Sequence, residues 1–366
     1  MLNRVRVLQQ IPRRHFSSTL KLSSPKKWPA FLTEDVPSDT TALALRTACG
    51  RKPYGPKVIQ SLPQLESLEF QDIHMDTIGE DLLNALYSRP VQSIRFSNAK
   101  FDDQQSFSRF VGLFPQLTNL DCHQVTVKNS HRMPVVKHAS VLHTVRSNQS
   151  PDIWRLFLNG SLGSDETLRK VTLNDVTYSD IPFVGLFLQR SSTTGMLQEF
   201  NVMHDHARQS AAVKHAWKKE PPVLDVSHVK RLGIDIHGRV RATCLRSPLE
   251  VVLQWWMKSL VPPGKESSLE YLKIVVGMNK GAIYIAQDAG NTWRALDSLL
   301  TDGRFPALRI VHVIIKVWKP TTLQKGERQK GLIQRSCPRL KRSKRLHVTI
   351  GHVKTKNNYF MDTHLF

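Results

Sequence analysis

The chain has 366 residues, 40% of them hydrophobic, and carries 52 Lys and Arg against 30 Asp and Glu, a formal net charge of +22. That apolar fraction supports a sizeable core and excludes wholesale disorder, and no apolar run approaches the ~20 residues of a membrane helix. Cys49, Cys122, Cys244 and Cys337 form no CxxC pair, which excludes a zinc ribbon or disulfide scaffold and suits a reducing compartment.

Residues 1–33 are read as a basic tail. Arg4, Arg6, Arg13, Arg14, Lys21, Lys26 and Lys27 precede the first acid, Glu34. Met1–Thr19, Arg-rich with Ser17 and Ser18, also has the composition of a mitochondrial transit peptide. Cytoplasm or nucleus is the expected location, with mitochondria as the alternative.

From residue 65 onward an apolar triplet at i, i+3 and i+5 recurs. It reads Leu65/Leu68/Phe70, Val91/Ile94/Phe96, Leu117/Leu120/Cys122, Leu142/Val145/Ser147 and Leu168/Val171/Leu173. It continues as Leu197/Phe200/Val202, Val229/Leu232/Ile234, Leu269/Leu272/Ile274 and Leu308/Val311/Val313. The first members are separated by 26, 26, 25 and 26 residues, then by 29, 32, 40 and 39. Pro63, Pro115, Pro306 and Pro338 each stand two residues before such a position, the last marking a terminal copy at Leu340.

In a strand, side chains two apart share a face, so i+3 and i+5 point into one core while i anchors the preceding turn. This is the L-x-x-L-x-L strand signature of leucine-rich repeats. The intervening segments read as helices. Ile78, Leu82, Leu83 and Leu86 form one apolar face, and Phe107, Phe110, Val111 and Phe114 another. Ser150-Pro151 opens a helix carrying Trp154, Phe157 and Leu158; Asp180 precedes Phe183, Leu186 and Phe187. Ser247-Pro248 leads into Leu249, Val252, Leu253, Trp256 and Leu260, and Trp293, Leu296 and Leu300 complete the set.

The predicted fold is therefore α/β, a leucine-rich-repeat-like solenoid of strand–helix units with a parallel sheet over 34–350. It is regular over 62–176 and irregular in the C-terminal half, with an insertion at 203–228 and a tail at 351–366. An ordinary α/β domain is the competing reading.

Phe110–Leu120 (FVGLFPQLTNL) and Leu168–Val176 (LRKVTLNDV) resemble fungal F-box-associated leucine-rich-repeat proteins, and Arg13–Leu22 resembles the segment that follows the F-box there. The resemblance implies a non-catalytic module that selects a protein substrate for ubiquitin ligation. No F-box is visible, so adaptor binding by these residues is expected to fail unless a longer transcript supplies one. Ile73, Ala99, Val125 and Val176 stand where standard repeats carry Asn or Cys, which predicts an apolar seam in place of a polar ladder.

No phosphate loop, G-x-S-x-G elbow or H-E-x-x-H helix occurs, and neither enzymatic activity nor a cofactor is expected. His204-Asp205-His206 offers two metal ligands without a third. Cys122 fits core packing better than nucleophilic catalysis, as does Trp256 better than base stacking; Trp255 is left open.

If i+3 and i+5 face the core, i+4 faces solvent. That column reads Glu69, Arg95, Asp121, Arg146, then Thr172, Asn201, Gly233, Lys273 and His312. Its alternating start predicts a cross-strand charge ladder. Its end, Lys273 and His312, and the run Arg339, Lys341, Arg342, Lys344 and Arg345 are candidate contacts for an anionic partner. The run also admits nuclear localisation or a solvated cap. A protein partner is the leading reading and nucleic acid, through the basic charge, the alternative. A monomer is expected.

Overall fold

A computed structural model describes residues 18–22, 40–46, 54–129, 141–158, 167–205, 221–237, 248–261, 266–278, 285–317 and 323–352. The strands are β1 (Ser18–Leu22), β2 (Thr40–Arg46), β3 (Ser67–Gln71), β4 (Ser93–Ser97), β5 (Lys100–Asp103), β6 (Asn119–His123) and β7 (Thr126–Asn129). They continue with β8 (Thr144–Asn148), β9 (Lys170–Val176), β10 (Glu199–Asp205), β11 (Arg231–His237), β12 (Tyr271–Met278), β13 (Ile310–Val317) and β14 (Leu346–His352). The helices are α1 (Tyr54–Gln60), α2 (Glu80–Tyr87), α3 (Gln104–Gly112), α4 (Pro151–Leu158), α5 (Ile181–Thr194), α6 (Pro248–Leu260), α7 (Ile285–Leu300), α8 (Leu323–Ser336) and α9 (Pro338–Arg342).

Among the described residues, twelve strands form one open sheet in which every pairing is parallel. Its order is the chain order, broken only where β5 and β7 leave to form a second, two-stranded sheet. The protein is thus α/β, built on a large parallel sheet.

The triplets explain this sheet. Every i, i+3 and i+5 side chain from Leu65 to Val313 is buried, and the i+3 positions are aligned strand to strand: Leu68↔Ile94↔Leu120↔Val145↔Val171. Burying each large apolar side chain contributes about 1.5–3 kcal/mol, so a repeated triplet fixes both strand and register. Ser147 occupies an apolar slot and is fully buried, its hydroxyl donating to the Ser150 carbonyl at 3.1 Å. On the helical side Phe70, Phe96, Phe101, Phe107 and Phe110 pack ring to ring, most of them edge to face.

After each regular strand the chain turns a corner through a left-handed residue. Asp72, Asn98, Gln124, Gln149 and Asp175 have φ between 48° and 63°, and none is glycine. The corners stack: Asn98 Nδ2 donates to Asp72 Oδ1 at 2.8 Å, and Gln124 Nε2 to Gln149 Oε1 at 2.7 Å. Immediately beyond, Ile73, Ala99, Val125 and Val176 are buried in the predicted apolar seam. Two polar pairs thus stand one residue earlier, at the corners.

Several expected boundaries shift. The sheet begins inside the tail assigned to 1–33, because Ser18–Leu22 pair with β2; residues 1–17 lie outside the described residues. The insertion at 203–228 shrinks, since 203–205 belong to β10 and Leu224 and Val226 are buried core; 206–220 are not described. The C-terminal tail loses 351–352 to β14, and 353–366 are not described. The terminal copy does start at buried Leu340, but three further helical and turn residues push the strand back. Leu346 and Val348 then take the places expected at i+3 and i+5, opposite Val311 and Val313.

Two helices depart in detail. The Ser150 hydroxyl before α4 accepts from the Val125 amide at 2.8 Å and donates to the Asn148 carbonyl, tying two units together. On α5 the buried stripe is Ile181, Val184, Phe187 and Leu188, while Phe183 and Leu186 are 39% and 55% exposed. The Thr177–Asp180 capping box before α5 sets that phase in a segment apolar on all sides.

Candidate interaction surface

Opposite the core, each strand presents alternate side chains to the outer face of the sheet in three rows. The middle row is the predicted column. Glu69, Arg95, Asp121 and Arg146 lie opposite one another on β3, β4, β6 and β8, with Arg95 between Glu69 and Asp121. Asp121 lies 3.7 Å from Arg95 and 3.8 Å from Arg146. These separations are long, and burial outweighs both guanidinium groups, holding the Asp121 carboxyl above the usual carboxylate range. Its Oδ1 has no hydrogen-bond partner. Beside it, His123 Nδ1 bonds the Asn148 amide, and burial pushes the His123 imidazole below its ordinary value.

The centre of the row is neutral. Asn201 Nδ2 donates to Glu199 Oε1 at 2.8 Å, and Lys170 pairs with Glu199 at 2.7 Å. Gly233 leaves room here: a Cβ would meet Asn201 Oδ1, so a larger residue would have to push that amide off β11.

The C-terminal end is basic. Lys273, His312 and His347 are in register on β12, β13 and β14. His312 Nδ1 lies 3.0 Å from the Tyr271 hydroxyl and its Nε2 2.9 Å from Thr349 Oγ1, a chain across three strands. Burial, then Lys273 and His347, lower the His312 pKa, and burial raises that of Tyr271. A protonated Tyr271 and a neutral His312 satisfy both contacts if the phenol donates to Nδ1 and Nε2–H donates to Thr349. Two residues beyond Ile314, Lys316 reaches back over β12 to Asp235 in the third row at 3.3 Å.

The basic run lies on α9 and the following turn. Arg339, Lys341, Arg342 and Lys344 are exposed, and Arg345 is half-buried where the chain enters β14. Buried Asp297 on α7 anchors this end by accepting the Arg339 and Leu340 amides at 3.1 and 2.8 Å. Sequence patterning alone missed Tyr271, Ile310, Ile314, Thr349 and His347. Alternation read at i+2 and i+6 reveals Tyr271, Ile310 and Ile314; the offset after Leu340 hides His347 and Thr349.

Other candidates resolve as packing. His204 is buried and accepts from Trp256 Nε1 at 3.0 Å, which makes it a core partner rather than a metal ligand; His206 lies outside the described residues. No group of three metal-binding side chains occurs among the described residues. Trp255 is only 5% exposed, donating to the Pro222 carbonyl at 3.2 Å, so neither indole offers a stacking platform. Cys122 and Cys337 are buried, their thiols pushed up, that of Cys337 to about 12. Ser191 and His228 stand 3.1 Å apart, but Ser191 is buried within α5 and also bonds the Leu188 carbonyl. The serine hydroxyl therefore donates to the helix and accepts from the imidazole, the opposite of nucleophile activation.

No helix among the described residues is long and apolar enough to cross a membrane. No protein-family model matches the chain, and no curated protein matches its sequence.

Proposed function

We propose that this protein is a leucine-rich-repeat-like solenoid acting as a non-catalytic binding platform, which takes a protein partner on the outer face of its parallel sheet. One observation carries the reading. The outer face presents rows of side chains aligned across neighbouring strands, mainly polar and charged over β3–β8 and mixed basic and apolar over β12–β14, while the opposite face is consumed by the core. A rigid, unbroken, laterally ordered surface suits recognition of an extended partner better than chemistry on a small molecule. The resemblance of Phe110–Leu120 and Leu168–Val176 to F-box-associated repeat proteins supports selection of a substrate for ubiquitin ligation as the setting.

Site-specific photo-cross-linking tests the platform. Cross-linkers placed at Ser93 and Lys273, on the face, are expected to trap the same partner, and cross-linkers at Glu80 and Gln189, on exposed helical positions, are expected to trap none. Equal adducts from both sides of the molecule would refute it.

A further inference from the structure

This inference rests on the outer sheet face being the binding surface, and narrows it to one part of that face and one partner chemistry. On β3, β4, β6 and β8 the first outward row is small and polar: Ser67, Ser93, Asn119 and Thr144. On β12 and β13 the same row becomes Tyr271 and Ile310, and the third row Val275 and Ile314. Tyr271, Ile310 and Ile314 are all partly exposed there. Val275 is already covered, and the apolar area that Tyr271, Ile310 and Ile314 leave in water gains only if something covers it. Between the two apolar rows runs the basic row Lys273, His312 and His347, and Arg309, Lys344 and Arg345 border it. On β11, Asp235 in the third row is paired with Lys316.

We infer that the face formed by β12–β14 binds a segment of another protein in which acidic residues are interspersed with apolar ones. Carboxylates of the segment meet Lys273, His347 and Arg345, and its apolar side chains cover Ile310, Ile314 and the Tyr271 ring. Nucleic acid matches the charge but not the aliphatic rows. Phosphates gain nothing from Ile310 or Ile314, and Trp255, Trp256 and Trp293 are buried; Trp318, which follows β13, lies outside the described residues.

The experiment uses the full chain and fluorescence anisotropy. The probe is a labelled peptide of glutamates interspersed with leucine and phenylalanine; polyglutamate of equal charge and oligo-dT are the comparisons. The mixed peptide should bind, and Lys273→Glu with His347→Glu should weaken it by about tenfold or more. Ile310→Ser with Ile314→Ser should weaken the mixed peptide several-fold and leave polyglutamate unaffected. Arg109→Glu, exposed on α3 on the helical side of the molecule, should change nothing. The inference is overturned if the folded chain, checked by circular dichroism, binds no peptide, or if charge reversal has no effect. Preferential binding of oligo-dT, indifferent to the isoleucine changes, overturns it in favour of nucleic acid. If the peptide fails while cross-linking from Ser93 and Lys273 succeeds, the platform stands and only this partner chemistry falls.

Discussion

Asp121 shows why proximity of opposite charges is a poor guide to stability. Two arginines approach it, yet its carboxyl is held above the ordinary range because burial dominates. A raised folded pKa means the native state binds the proton more tightly than the unfolded chain, so stability falls as pH rises through that range and the penalty is fully present at neutral pH. Asp121→Asn is therefore expected to leave the melting temperature at pH 7 unchanged or slightly higher, and to flatten its dependence between about pH 4 and 6. His312 has the opposite sign. Its pKa is lowered, so its contribution is complete above the usual histidine range and is lost as pH falls below it. Lys273 and His347 flank the ring, and Tyr271 and Thr349 hold its nitrogens. Amide protection of β14 should drop between about pH 7 and 5, and His312→Gln should remove most of that drop.

At the scale of the element, the corners are the informative feature. Each regular unit forces an L-residue into the left-handed region, where a β-branched side chain costs about 1–2 kcal/mol. Gln124→Val should destabilise the protein by at least that amount although Gln124 is exposed, whereas Thr126→Val, two residues on and exposed but at an ordinary φ, should be nearly neutral in chemical denaturation. Strands and their register were legible because a triplet in a fully parallel sheet must be apolar in every unit. The corners were not: Asp, Asn and Gln share a conformation there but no single residue type, and only the spacing of 26, 26, 25 and 26 between them aligns the set. The phase of α5 was illegible for another reason. Phe183 and Leu186 satisfy helical periodicity as well as Val184 and Leu188 do, and the cap decides between them.

At the scale of the whole molecule, the core is continuous from Leu43 to Val348, but each unit touches chiefly its neighbours. Phe96→Ala, which removes a fully buried ring in contact with Phe70, Phe101, Phe107 and Phe110, should cost about 3–5 kcal/mol. Hydrogen exchange should place that loss over β3–β8 and leave β12–β14 protected. The candidate surface was half legible. Its middle row follows from the triplet by counting as far as His312, and its apolar flanks from the alternate positions on either side, while His347 and Thr349 depend on the three-residue offset after Leu340, which no local pattern announces.

Because spatial order in the main sheet follows chain order, the molecule has a direction along which it can be pulled apart. Tension applied at the two ends loads the outermost pairings first, β1 on β2 and β13 on β14, with no earlier strand laced across a later one. Extension at constant speed should then release the chain in discrete lengths. A unit of 26 residues adds roughly 90 Å of contour and a unit of 39 or 40 roughly 140 Å, at about 3.5 Å per residue. The force trace becomes a ruler of the repeat, with short steps from the N-terminal half and long steps from the C-terminal half.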